Sequence, residues 1–247
     1  MERLKISVLL CAYNEEQYLE RTLQSLEKQK ASFKYEIIVV DNCSTDCTAE
    51  IAKRYTPNVV RCDVRGKIPA LRSGIEVTKG QVVALADADT IYPANWLSEI
   101  NRAFENNYGC KLVFGGTYAE SKNVYTTRLV SLLTDIFITT SLKLGVACSI
   151  GFNIAVTRKE LSAILEHIEP YAFTGWAIGT ACLNKHGKNC AIYLRKLRVP
   201  KCMRRYEAKG HFKTTLVWVR EWWHLLRGRP MSLMETEYFN IPKINGS

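Results

Sequence analysis

Val82-Val83-Ala84-Leu85-Ala86 is apolar at every position and runs directly into Asp87-Ala88-Asp89. A strand without polar alternation needs cover on both faces, as a parallel strand has between two layers of helices. Side chains two apart on an extended segment point the same way, so Asp87 and Asp89 are expected to converge. The carboxyl end of such a strand is where open α/β sheets bind ligands. Two carboxylates alone there repel, and a divalent cation bridging to a diphosphate relieves the repulsion. The plainer alternative is an acidic loop tip capping a helix.

The same pattern recurs upstream. Ile6 to Ala12 reads as a strand running into Tyr13-Asn14-Glu15-Glu16, with Asn14 as a helix cap and Gln17 as its box partner. Leu19, Thr22, Leu23 and Leu26 mark one buried helical face. Glu36 to Val40 is a second buried strand, and Asp41-Asn42-Cys43-Ser44-Thr45-Asp46 turns into a helix through Ile51, capped by Thr45 or Asp46. A short strand at Val59-Val60 and a helix from Pro69 to Thr78 complete the alternation. Strands and helices in turn predict a mostly parallel sheet with right-handed crossovers. No Gly-x-Gly-x-x-Gly follows the first strand and no Walker lysine loop is present, which argues against dinucleotide and P-loop sites.

Four segments together carry a resemblance: Cys11-Ala12-Tyr13-Asn14-Glu15-Glu16, Val39 to Asp46, Gly66 to Ile75, and Ala86-Asp87-Ala88-Asp89. In order and spacing, across about residues 4–117, they resemble the family 2 glycosyltransferases of GT-A fold. Gly151-Phe152-Asn153 resembles that family's Gly-x-Asn segment, and Met203-Arg204-Arg205-Tyr206 a basic motif of some small members. The resemblance implies a Rossmann-like, mostly parallel sheet flanked by helices. A nucleotide-binding half (4–117) and an acceptor half (118–200) would make one domain of residues 1–200, followed by a helical extension at 201–247.

It also implies a UDP- or GDP-linked sugar donor, with inversion at the transferred carbon as the favoured outcome. An ionised Asp41 is an acceptor suited to the ring N–H of uracil or guanine, beside Ala12, Tyr13 and Glu15 at the end of the first strand. Lys67 and Arg72 suit the nucleoside or diphosphate, Arg as a planar fork and Lys alternatively as a solvated loop residue. Asp87 and Asp89 would hold Mg²⁺ or Mn²⁺ against the diphosphate, with Asp87 also near the nucleotide. Adjacent Arg204 and Arg205 suit a diphosphate or an acceptor phosphate.

One departure stands out. Many members carry a carboxylate base about a dozen residues before a helix-ending glycine; counting back from Gly187 gives Gly175 and Trp176. No carboxylate lies between Glu169 and Glu207. Three accounts stay open. Glu166 or Glu169 substitutes from a shifted loop; the acceptor is a phosphate that needs no base, as in the polyprenyl-phosphate sugar synthases of the family; or the chain binds sugar nucleotides without ordinary catalysis. A nucleotidyltransferase is a further alternative, opposed by the acidic loop after the first strand.

Lys and Arg outnumber Asp and Glu by 34 to 24, a net charge of +10, with the excess after Arg195. No nucleic-acid-binding pattern accompanies it, leaving a diphosphate or an anionic membrane as the partner. The nine cysteines are best read as reduced, buried thiols of a cytoplasmic protein without a secretory leader. His211 to Pro230 is helical in period, rich in Trp and basic residues, and too charged to span a bilayer. It either lies on the cytoplasmic membrane face, serving a glycan or lipid-linked acceptor, or packs on the core. Leu129 to Ile150, interrupted by Asp135 and Lys143, reads as a buried or acceptor-side helix.

Overall fold

Every strand expected from the apolar runs joins a single seven-stranded sheet in the computed structural model, which describes residues 5–118, 124–149, 152–168, 173–200 and 211–228. Gly151, Glu169 and the pair Arg204 and Arg205 lie outside the described residues. The strands are β1 (Ile6–Ala12), β2 (Tyr35–Asn42), β3 (Val59–Cys62), β4 (Val82–Asp87), β5 (Leu112–Tyr118), β6 (Ile154–Thr157) and β7 (Ala191–Pro200). Their order is β3-β2-β1-β4-β6-β5-β7; only β6 is antiparallel to its neighbours, β4 and β5. The described helices are α1 (Leu19–Glu27), α2 (Thr48–Tyr55), α3 (Lys67–Val77), α4 (Trp96–Asn106), α5 (Val124–Lys143), α6 (Arg158–His167), α7 (Thr174–His186) and α8 (His211–Leu226).

Alternate residues of the central strands feed two apolar layers. Leu9, Val83 and Leu85 join Leu71 of α3, Leu161 of α6 and Ile178 of α7, while Val8, Leu10 and Ala84 join Leu23 of α1 and Trp96 of α4. Each Leu of this kind, once removed from water, contributes about 1.5–3 kcal/mol. Gly74 on α3 is a packing requirement: a Cβ there would lie 2.3 Å from Leu9 Cδ1.

The helix starts differ from the capping expected of them. α1 begins at Leu19, with Tyr18 at the cap and no side-chain cap bond. Asn14 instead takes a left-handed φ of 53° and accepts the Thr45 N–H at 2.8 Å. Its side chain is spent between two loops. Asp46 accepts the Thr48 N–H at 3.0 Å, from one residue ahead of the cap position of α2. Among the described residues eight cysteines are free thiols and six of them are buried.

α6 and α7 are tied by Glu160, whose buried carboxylate takes both Lys185 Nζ and His186 Nε2 at 2.8 Å. The Lys185 bond, then the His186 bond, holds its pKa down at about 2. A depressed carboxylate adds stability above its unfolded pKa and loses it as pH falls through the folded one. Glu160→Gln should therefore destabilise the fold by about 1–2 kcal/mol at neutral pH. Urea titrations should show the variant's deficit shrinking between about pH 4.5 and pH 2, as the wild-type carboxylate protonates.

Candidate active site

The chain leaves β1 for β2 and β3 on one side and returns to lay β4 on the other, so the strand order reverses between β1 and β4. Such a switch point opens a crevice at the carboxyl ends of the strands. In the ladders Ala12 stands opposite Asp41, and Cys11 opposite Asp87. Three neighbouring strand ends thus present Ala12, Asp41 and Asp87 along one edge.

Two loops close the β1–β2 side by exchanging hydrogen bonds. Asn14 and Glu15 donate their N–H groups to Ser44 Oγ (3.0 Å) and Thr48 Oγ1 (2.8 Å), and Glu16 accepts the Cys47 N–H at 3.2 Å. Asp41 is 2% exposed and accepts the Ser44 N–H at 3.2 Å, which orients its carboxylate from within the same turn. Tyr13 stands exposed at the rim with the Arg65 guanidinium 4.3 Å over its ring. Asn42 pins the approach to α3 by accepting the Gly66 N–H at 2.8 Å and donating to the Val64 carbonyl at 2.7 Å. Gly66, at φ 137°, occupies a backbone conformation that suits glycine alone.

Asp87 is gripped from several directions. Lys67, the first residue of α3 and not a loop residue, lies 3.2 Å from Oδ1 and 4.0 Å over the Phe152 ring. The Phe152 N–H donates to Oδ2 at 3.0 Å. The Asp87 N–H donates to Tyr92 Oη (2.9 Å), which donates onward to the Phe152 carbonyl (3.1 Å). Burial pushes the Tyr92 phenol well above its usual range, so it stays a neutral donor. Behind it, Trp96 Nε1 donates to Asn153 Oδ1 at 2.8 Å, and Asn153 Nδ2 donates to the Gly116 and Leu197 carbonyls at 2.9 Å. Asn153 is buried with both ends of its amide satisfied.

Asp87 and Asp89 are both partly exposed on the turn that ends β4. Among the described residues no cluster of three or more His, Cys, Asp or Glu could hold a metal ion. Two hard carboxylate donors suit Mg²⁺ or Mn²⁺ completed by diphosphate oxygens and water, a fit that does not need an all-protein cage. Cys11 beside them is no nucleophile, since burial pushes its thiol up to about 12.

Arg72 is engaged elsewhere, donating to the Leu165 (2.7 Å) and Ile168 (3.1 Å) carbonyls at the end of α6. That anchor holds the last turn of α6 beside the middle of α3, about 7 Å along the axis from Lys67. Glu166 in that turn is exposed and lies 4.0 Å from His167. Gly175 and Trp176, about a dozen residues before Gly187, form the first turn of α7. Trp176 stacks on Phe173 at 5.0 Å and meets Trp218 of α8 edge-on at 5.8 Å. A Cβ on Gly175 would lie 2.7 Å from Ser149 Oγ, a buried hydroxyl without a hydrogen-bond partner among the described residues. Tyr92, Arg65 and Ser149 sit on loops, where hydrophobic period carries no signal; Phe152 lies within the Gly151-Phe152-Asn153 segment, whose resemblance marks the place but not the contact of its N–H with Asp87.

Lys67 offsets the Asp87 charge, so removing it should strengthen cation binding at this edge. Lys67→Met is expected to tighten Mn²⁺ binding by about three- to tenfold at low salt, for a loss of one nearby positive charge. Titration calorimetry with the metal alone measures this; an unchanged or weaker constant would place the ion away from Asp87.

Residues 7–165 match the profile of Glycosyl transferase family 2. A dolichol-phosphate mannosyltransferase of Pyrococcus furiosus is 29% identical over 126 residues, covering 49% of this chain and 35% of that protein. The glycosyltransferase AglE of Haloferax volcanii is 30% identical over 136 residues, covering 49% and 45%. The matches therefore span less than half the length of these relatives. Glucosyl-3-phosphoglycerate synthase of Mycobacterium tuberculosis, crystallised with Mn²⁺, UDP and glucosyl-3-phosphoglycerate, superposes with a TM-score of 0.64. That likeness is 21% in identity and covers 93% of this chain and 82% of that one. TarS of S. aureus, crystallised with UDP-GlcNAc, has a TM-score of 0.59 at 16% identity, covering 81% and 59%. With the family profile across most of the sheet, and the same fold in these solved glycosyltransferases, the chain is a GT-A-fold member of Glycosyl transferase family 2.

Proposed function

We propose that this glycosyltransferase takes its sugar from a nucleoside diphosphate donor, with a divalent cation held by Asp87 and Asp89. The observation that carries the reading is the placing of a buried carboxylate, Asp41, two strands from Asp87 at the switch-point edge. The span suits a base at one end and a diphosphate at the other. Asp41 would take the ring N–H of uracil or guanine, with Ala12, Tyr13 and Glu15 lining the same pocket. A bound Mg²⁺ or Mn²⁺ would supply Lewis-acid stabilisation of the charge on the departing nucleotide. Lys67, 3.2 Å from Asp87, is placed to exchange that partner for a diphosphate oxygen. Arg72 is left out of the nucleotide pocket, because its guanidinium serves the end of α6.

A phosphate acceptor is the acceptor class the site favours. Of the described carboxylates between residues 118 and 200, Asp135 is bound by Tyr193 and Arg198, Glu160 by Lys185 and His186, and Glu166 is exposed on the anchored end of α6. The first turn of α7 offers aromatic surface and the Ser149 hydroxyl instead. An ionised phosphate oxygen is already a nucleophile and needs a donor to position it more than a base to activate it. Attack by that oxygen on the anomeric carbon, from the face opposite the departing diphosphate, would invert its configuration. The P. furiosus relative carries a dolichol-phosphate acceptor in its name.

Asp89→Asn and Asp87→Asn should each lower metal-dependent transfer by about a thousandfold or more, corresponding to several kcal/mol at the transition state. Donor turnover with Mn²⁺, with folding checked by circular dichroism, tests this, and near-normal rates in both variants would remove the metal role. Asp41→Ala should instead weaken UDP or GDP binding by about tenfold or more while sparing the rate at saturation, because its contact is with the part that does not react. Calorimetry with both nucleotides reads that loss, and equal affinity throughout would return Asp41 to a turn residue. Polyprenyl phosphate and a neutral glycan offered side by side decide the acceptor class.

A further inference from the structure

α5 and α8 meet along one seam, where Trp222 Nε1 donates to Ser141 Oγ at 2.9 Å and the Trp222 ring meets Phe137 at 5.7 Å. Trp218 and Trp222 are thus turned into the protein. Away from the seam both helices turn large apolar side chains outward. Leu132, Leu133 and Ile136 of α5 and Leu216 and Val219 of α8 are each more than half exposed, and Trp223 is 48% exposed. Leu132 and Leu133 lie four and three residues before Ile136, and Leu216, Val219 and Trp223 follow at three and four, which gathers each set on one helical face. Exposed apolar side chains gathered in this way mark a place of contact.

Among the described residues, neither helix turns an acid outward beside these side chains. The only acid in α5, Asp135, is bound by Tyr193 and Arg198, and the only acid in α8, Glu221, is fully buried beside Arg220. Exposed Lys143 closes α5, and Lys188 donates to the Lys143 carbonyl. Arg195 donates to Thr139 Oγ1 on one flank, and Arg227 lies 4.3 Å over the Trp223 ring on the other. An apolar centre therefore carries a cationic rim.

We propose that this face of α5 and α8 docks on an anionic lipid bilayer, lying in the interface. Apolar side chains enter the acyl boundary while the rim cations meet lipid headgroups. A second copy of the chain would bring the same cations together, on a protein already at +10. No described helix is long and apolar enough to cross a membrane, which leaves the in-plane arrangement. The inference deepens the phosphate-acceptor reading, and only in this respect rests on it. From the inward face of α8, behind that surface, Trp218 leads through Trp176 and Gly175 to Phe152, whose N–H binds Asp87. A lipid phosphate in the bilayer would then lie beside the reacting edge.

The test is co-sedimentation of the full chain with phosphatidylcholine vesicles, with and without phosphatidylglycerol. The wild type should bind the anionic vesicles at low salt and be released as salt screens the rim. Leu133→Glu with Ile136→Glu should reduce binding by about tenfold or more, and Lys143→Gln or Arg227→Gln by about fivefold each. Circular dichroism and sedimentation velocity on the same samples report folding and oligomeric state. Wild-type protein that stays in the supernatant at low salt overturns the proposal. So does a dimer that the glutamate variant dissociates, which would assign the face to a second copy. Vesicle binding without transfer to polyprenyl phosphate leaves the surface standing and removes the acceptor reading; transfer without vesicle binding does the reverse.

Discussion

The candidate site depends on how one carboxylate is held at the end of a buried strand. Asp87 continues the alternation of Val83 and Leu85, so its side chain emerges on the α3 face at the point where the apolar layer stops. There the Phe152 N–H and the Lys67 ammonium take its two oxygens, while Tyr92 takes its backbone N–H. A partly exposed acid at a sheet edge is ordinarily mobile. Here three separate stretches of chain over-determine its position, which suits the cation and diphosphate contact proposed for it.

That arrangement reaches outward through Asn153. Its amide joins α4, through Trp96, to the backbone of β5 and β7, and a Cβ on Gly115 would fall 2.1 Å from the Leu197 carbonyl. β6 can therefore enter antiparallel between β4 and β5 and deliver Phe152 to Asp87. The wall beyond β6 follows from the same insertion, since α7 packs its first turn against Ser149 and Phe152, and α8 lies on α7 through Trp218 and Trp176. The β1–β2 side is a separate construction, two loops laced by Asn14, Glu16, Ser44 and Thr48. The two constructions meet at the β1–β4 crevice.

Much of this was legible from residue order. The apolar runs at Val8–Ala12 and Val82–Ala86 specify buried parallel strands, and Leu19, Thr22, Leu23 and Leu26 form the buried face of α1 as their spacing requires. The pair Asp87 and Asp89 was visible because a buried strand ends there. Asn14 has the residue type of a helix cap but bonds across loops, because both roles use the same short amide; only the position of β2 beside β1 decides between them.

What the sequence by itself determined was the alternation of strands and helices, the strand ends that carry carboxylates, and the lack of an acid around Gly175. These rest on local period and on residue identity, which need no knowledge of neighbours. Tertiary structure decided the rest: that Arg72 serves α6, that Lys67 faces Asp87, and that Tyr92 and Phe152 complete the grip. It also decided that Trp218 and Trp222 turn inward while Trp223 turns out, because a helix of mixed Trp and Arg has no inside until another helix supplies one. Hydrogen bonds and ring contacts between residues 60 or more positions apart depend on chain crossings, and no local pattern encodes those.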